Sequence, residues 1–160
     1  VLEVYQDKFG LNPNGVCIWF GNSNQLKTFV NILKRNRIPV KKKRNYYLLS
    51  YKKIPVLISY CGSRIARGID LDQYDISIII APLLRPPRKI GFLDVLDFGR
   101  AVAEAIQSGM RIVRSPKPMR PKLIVLESSM TTYFYSHFYP DWFKELFANN
   151  FIEIEEEEKK

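Results

Sequence analysis

Arg111 and Arg114 stand three residues apart where a long amphipathic stretch ends, a spacing that projects two guanidinium groups in similar directions. Guanidinium forks suit the non-bridging oxygens of a polyphosphate, although two arginines so spaced more commonly serve as solvated surface charge. Upstream lies Cys61-Gly62-Ser63-Arg64-Ile65-Ala66-Arg67-Gly68-Ile69-Asp70-Leu71, a polar loop between two apolar runs. Gly68 there would let the backbone turn tightly or approach a ligand, and Asp70 offers a carboxylate to a ribose hydroxyl. The plainer alternative is a strand connection with a solvated charge pair. A third stretch, Gly21-Asn22-Ser23-Asn24, leads from an apolar run into a helical pattern, where free backbone N–H groups can receive an anion. Ser23 on its own reads as a helix cap.

The elements that must position these residues follow from periodicity. Residues 16–20 (Val-Cys-Ile-Trp-Phe), 54–60, 76–81 and 122–126 are short apolar runs of the kind that form buried strands. The runs at 54–60 and 76–81 are expected to be neighbouring strands of a parallel sheet, which places the loop between them at a carboxyl edge, where ligands of such sheets bind. Leu26, Phe29, Val30 and Leu33 share one face of a helix over 25–35, with Asn22 and Gln25 at capping-box spacing. A longer helix over 92–109 presents Phe98, Val102, Ala105, Ile106 and Gly109 on one face, and its end delivers Gln107, Arg111 and Arg114. Ile38-Pro39-Val40 is expected to begin a short strand. Lys41-Lys42-Lys43-Arg44 reads first as a solvated loop or edge-strand protection, and residues 46–51 as one or two helical turns. Pro86-Pro87 makes residues 83–89 an exposed basic loop. Residues 141–148 are expected to close the domain as a helix, after an aromatic cluster at 133–139 suited to packing or to base stacking.

One domain over residues 1–150 is expected, followed by an acidic, disordered tail over 151–160. The net charge of +9 understates the basic surface: without the tail's five glutamates and two lysines, 23 bases face 11 acids. That balance favours a polyanionic partner, nucleic acid before anionic membrane. No apolar run approaches the ~20 residues of a membrane span. Cys17 and Cys61 fit reduced core positions of an intracellular protein, and with His137 the only histidine no metal site is expected. The first residue is Val1 rather than Met, as in a fragment of a longer polypeptide.

Ala66-Arg67-Gly68-Ile69-Asp70 resembles the fifth motif of superfamily-two helicases, found in their second RecA-like domain. Gln107-Ser108-Gly109-Met110-Arg111-Ile112-Val113-Arg114 is similar to the sixth, Gln-x-x-Gly-Arg-x-x-Arg, and departs from it in having Met110 where the family has Gly. Tyr139-Pro140-Asp141-Trp142-Phe143 resembles an ending found in the XPD/DinG-type DNA helicases. The likeness runs from Gly15 to about Phe147. It implies an α/β fold: a RecA-like three-layer domain with a mostly parallel central sheet and helices on both faces. It implies Arg111 and Arg114 as catalytic arginines aimed at ATP across a cleft, with Gly68, Asp70 and Gln107 on the nucleotide. It implies a track for nucleic acid over Asn22, Ser23, Gly62, Ser63, Arg64, Arg85 and Arg88. The partners so implied are single-stranded or forked DNA, RNA remaining open, and an N-terminal RecA-like domain of the same polypeptide. A cytoplasmic or nucleoid location and an archaeal or viral origin belong to the same expectation.

The chain has no Gly-x-x-x-x-Gly-Lys-Ser/Thr loop and no Asp-Glu-Ala-His-type box, so ATP with Mg would be bound mainly by that first domain. Two readings stand: half of a helicase motor, or a non-catalytic RecA-like nucleic-acid-binding module that Met110 keeps open. A stand-alone nucleotide-binding enzyme would need a Gly-rich phosphate loop after its first strand.

Overall fold

Strand β1 (Val16–Phe20) is the middle of the sheet, and its composition explains why. Val16 and Phe20 enter one apolar cluster while Cys17 and Trp19 enter a second, so successive side chains are buried on opposite faces. The computed structural model describes residues 6, 12–68, 71–80, 92–113, 122–126, 141, 142 and 145. After β1 come helix α1 (Ser23–Arg35) and strands β2 (Lys41–Lys42), β3 (Tyr47–Tyr51) and β4 (Ile54–Tyr60). A short helix α2 (Arg64–Gly68), strand β5 (Ile76–Ile80), helix α3 (Phe92–Gly109), a 3-10 turn (Met110–Val113) and strand β6 (Lys122–Leu126) complete the described order.

Among the described residues the six strands lie in the order β2-β3-β4-β1-β5-β6. β4, β1, β5 and β6 run parallel, while β3 is antiparallel to β4 and to β2. The chain is thus an α/β fold on a mixed, mostly parallel sheet. Leu26, Val30 and Leu33 of α1 join Val16, Val56, Ile58 and Ile78 in one cluster. Ile65 and Ala66 of α2, Ala105 of α3 and Ile112 join Cys17, Trp19, Leu57 and Ile79 in the other. Within that second cluster the Trp19 indole donates to the Ser77 hydroxyl at 2.9 Å, so the largest buried side chain brings its own polar satisfaction.

The structure corrects several expectations. The runs at 54–60 and 76–80 are parallel strands but not neighbours, because β1 lies between them (Ile18 opposite Ile58 and Ile78). Residues 47–51 form a strand rather than helical turns. Tyr47 and Leu49 pack against one cluster and Leu48 against the other, the period of two that a strand needs. The short strand expected at Ile38-Pro39-Val40 falls instead at Lys41–Lys42, at the edge of the sheet, where exposed lysines block further pairing. The polar loop after β4 folds into α2.

Two turns use left-handed backbone without glycine. α1 ends with Ile38 N–H donating to Leu33 O (2.9 Å) and Arg37 N–H to Lys34 O (3.0 Å), with Arg37 at φ 57°. β3 turns into β4 through Lys52 (φ 49°) and Lys53 (φ 69°), a two-residue hairpin closed by Tyr51 opposite Ile54. Each such residue costs roughly 1–2 kcal/mol that Asn or Gly would largely avoid. Since Gly also frees the unfolded chain, which offsets part of that gain, Lys52→Asn with Lys53→Gly is expected to raise stability by about 1 kcal/mol; a urea midpoint unchanged or lowered would contradict this turn.

The chain divides into two compact units, Val1–Glu127 and Ser128–Lys160. In the second, the described residues Asp141, Trp142 and Glu145 are helical and exposed. The aromatic cluster at 133–139, the proline loop at 83–89 and the acidic tail lie outside the described residues. No described helix is long and apolar enough to cross a membrane.

Candidate functional site

β1 and β4 are adjacent and parallel, with Phe20 opposite Tyr60, so the segments that follow them leave the same edge of the sheet side by side. Cys61 N–H donates to Phe20 O at 2.8 Å and ties the two together. On the β1 side Asn22 caps α1, its Oδ1 accepting from the N–H groups of Asn24 and Gln25 at 3.0 Å each. The capping role that Ser23 alone suggests thus belongs to Asn22. Ser23 is the first helical residue and half-buried.

On the β4 side the left-handed position is Gly62 (φ 74°), and a Cβ there would lie 2.4 Å from the Glu104 carboxylate. Gly68, where sequence placed the tight turn, has ordinary φ, is exposed and has open space around it. Arg64 is exposed. Ser63 is not: it is buried, lies 3.0 Å from the Ser59 hydroxyl, and accepts a long hydrogen bond from Ala66 N–H (3.4 Å). Its place at the head of α2 turns it inward, which corrects the expectation that it faces nucleic acid.

Arg111 brings the larger correction. It is 1% exposed, so its side chain does not project from a helix end toward a phosphate. Its Nε donates to the backbone carbonyl of Ala66 at 2.6 Å, across 45 residues of sequence. Arg111 and Ile112 both lie buried in the 3-10 turn Met110–Val113 that follows α3, where the tighter winding departs from the α-helical spacing assumed from sequence. A guanidinium suits this position, being more weakly hydrated than an ammonium and carrying a rigid fork of donors. A second tie runs outside it, where Glu104 Oε1 accepts from Arg67 Nη2 (2.9 Å) and Arg100 Nε (3.3 Å). Arg100 and Glu104, which the periodicity of α3 places off its apolar face, have the i,i+4 spacing of a helical ion pair.

Gln107 is exposed on the last turn of α3. Asp70, Arg85, Arg88 and Arg114 lie outside the described residues. Beneath the loop, burial pushes the Cys61 thiol up to about 12, which a hydrogen bond with Ser108 only partly offsets and the Glu104 charge reinforces. That sulfur is a protonated core group at neutral pH rather than a nucleophile. Among the described residues no three His, Cys, Asp or Glu side chains gather as a metal site would require. The arrangement leaves Arg64 exposed at the carboxyl edge, and it ties α2 to α3 and to the turn that follows it.

Comparison with protein-family models, curated proteins and solved structures finds no match to this chain.

Proposed function

We propose that the chain is the second motor domain of an ATP-dependent DNA helicase or translocase, RecA-like in its three layers and closest to the XPD/DinG type. The observation that carries this reading is the bond from Arg111 to Ala66. It joins the two segments that resemble the fifth and sixth helicase motifs, which in a motor must move together as one wall of the nucleotide cleft. The order of loops along the carboxyl edge, with Asn22 beside Arg64, supports the same reading.

In this account Arg111 is a positioning residue, and Arg114 is the arginine that meets the γ-phosphate. Gly68 and Gln107, both exposed, fit as nucleotide contacts, with Asp70 reaching the ribose. Magnesium would be held by the first domain, and no described residue is assigned to it. When bound between the domains, ATP supplies the phosphoryl group whose developing charge an arginine stabilises. A reducing compartment fits two buried cysteines, neither of them in a disulfide. One observation favours the non-catalytic binding module instead: burial of Arg111 removes one of the two arginines from the cleft.

Single-stranded DNA binding by this chain tests the track. Binding is expected to be weak, with log K falling against log salt at about −0.7 per phosphate contacted. Ser23→Asp with Arg64→Glu should reduce affinity at least tenfold at low salt without loss of fold, since Arg64 is exposed and an acid in the first turn favours a helix. Unchanged affinity, measured by fluorescence anisotropy with labelled oligothymidylate, would place the track elsewhere.

A further inference from the structure

Between residues 8 and 69 the chain has thirteen lysines and arginines and no acidic residue. The fold separates these bases into groups. Lys52 and Lys53 form the turn where β3 enters the start of β4, at the amino edge of the parallel strands. Lys43 and Arg44 occupy the opposite turn, between β2 and β3. Lys42 pairs with Tyr47 and Tyr47 with Ile58, two residues short of the end of β4, so the 43–46 turn emerges at the carboxyl edge. It stands beside the loops that carry Arg64 and Asn22.

This turn is held in place. Lys43 N–H donates to Tyr46 O at 2.9 Å and closes it. The Ser59 hydroxyl, buried within β4, donates to Asn45 O at 3.0 Å and lies 3.0 Å from the Ser63 hydroxyl, which in turn accepts from Ala66 N–H. A relay of two buried serines thus pins the basic turn to the head of α2, which also gives Ser63 a task. Lys43, Arg44 and Arg64 are exposed and form no ion pair among the described residues. Glu104, the carboxylate beside Gly62, is already paired with Arg67 and Arg100.

We propose that the Lys43 and Arg44 turn binds the phosphate backbone of single-stranded nucleic acid, extending the track from α1 and α2 to the outer edge of the sheet. The proposal rests on the carboxyl-edge track of the preceding reading. Three strand spacings separate β2 from β1, roughly 14 Å, enough for a strand to contact several phosphates in succession. A membrane surface would call for apolar side chains among the bases. Among the described residues the exposed large hydrophobics are Ile32, Ile38, Tyr51 and Trp142, and none belongs to the turn or to the α2 loop.

The test compares Lys43→Glu/Arg44→Glu with Lys52→Glu/Lys53→Glu, which makes the same charge change at the other end of β3. Both are titrated against labelled oligothymidylate across a salt series, alongside Ser23→Asp/Arg64→Glu, with melting curves to verify folding. The first variant is expected to lose at least tenfold in affinity at low salt and to flatten the salt slope by about 1.4, the equivalent of two phosphates. The second should lose far less, and Lys43→Ala/Arg44→Ala should fall between wild type and the first. Equal losses at the two turns would overturn the proposal in favour of net charge alone. Loss confined to Ser23→Asp/Arg64→Glu would overturn it and leave the inner track standing. Loss confined to Lys43→Glu/Arg44→Glu would support it while removing the inner track. Wild-type protein that ignores the oligonucleotide would overturn it, whether or not the protein binds phosphatidylserine vesicles through the same two bases.

Discussion

Arg111→Ala is expected to destabilise the chain by about 3 kcal/mol and to lower its melting temperature by roughly 6–12 °C. Two losses combine. The Ala66 carbonyl loses the charged donor that reaches it at 2.6 Å, and truncation of a side chain that is 1% exposed leaves a cavity against Ile112 and the sheet. Arg111→Lys should recover only part of this, because an ammonium on a flexible stem does not reproduce the position of Nε. Equilibrium urea unfolding of the three proteins measures the effect. A loss within ~0.5 kcal/mol, the ordinary result for surface arginines, would mean that Arg111 points outward after all.

Arg114→Ala should behave in the opposite way. On the proposed reading, with the chain joined to a first motor domain, DNA-stimulated ATP hydrolysis should fall about a thousandfold, equivalent to ~4 kcal/mol of lost transition-state stabilisation. Melting temperature and oligonucleotide affinity should hardly move. Arg114→Lys should rescue little, since a forked donor is needed for the phosphoryl oxygens. The two arginines, three residues apart in one motif, thus separate by readout: stability for Arg111, turnover for Arg114. Phosphate release and thermal melting on the same preparations distinguish them. Hydrolysis that survives in Arg114→Ala would shift the account to the non-catalytic binding module.

What the sequence makes legible here are elements whose pattern is local. The apolar runs at 16–20, 54–60, 76–80 and 122–126 are all strands, and the 3.6-residue periods of α1 and α3 give those helices nearly to their ends. Asn22 is a cap because its side chain acts on residues next to it. Pairing is not local, so nothing in 54–60 or 76–80 reveals that β1 separates them. β3 was hidden for a related reason: Tyr47–Tyr51 shows no polar alternation because it packs on both faces, and its hairpin turn uses Lys52-Lys53 in place of an Asn-Gly signal. At the site, Arg64 and Gln107 are exposed, whereas Ser63 and Arg111 are buried. Residue type suggested which of them could meet a phosphate. Their direction depended on a short helix and a 3-10 turn that lie below the resolution of periodicity.

Steady-state phosphate release by this chain alone, with and without single-stranded DNA, bears most directly on the claim that it contributes half of an ATPase site. The chain has neither a phosphate loop nor magnesium-binding carboxylates of the helicase kind, so turnover at the background rate is expected under both conditions. Joined to a domain of the same polypeptide that carries a phosphate loop, it should hydrolyse ATP in a DNA-dependent manner. DNA-stimulated turnover by the chain alone, abolished by substitutions within it, would contradict the account.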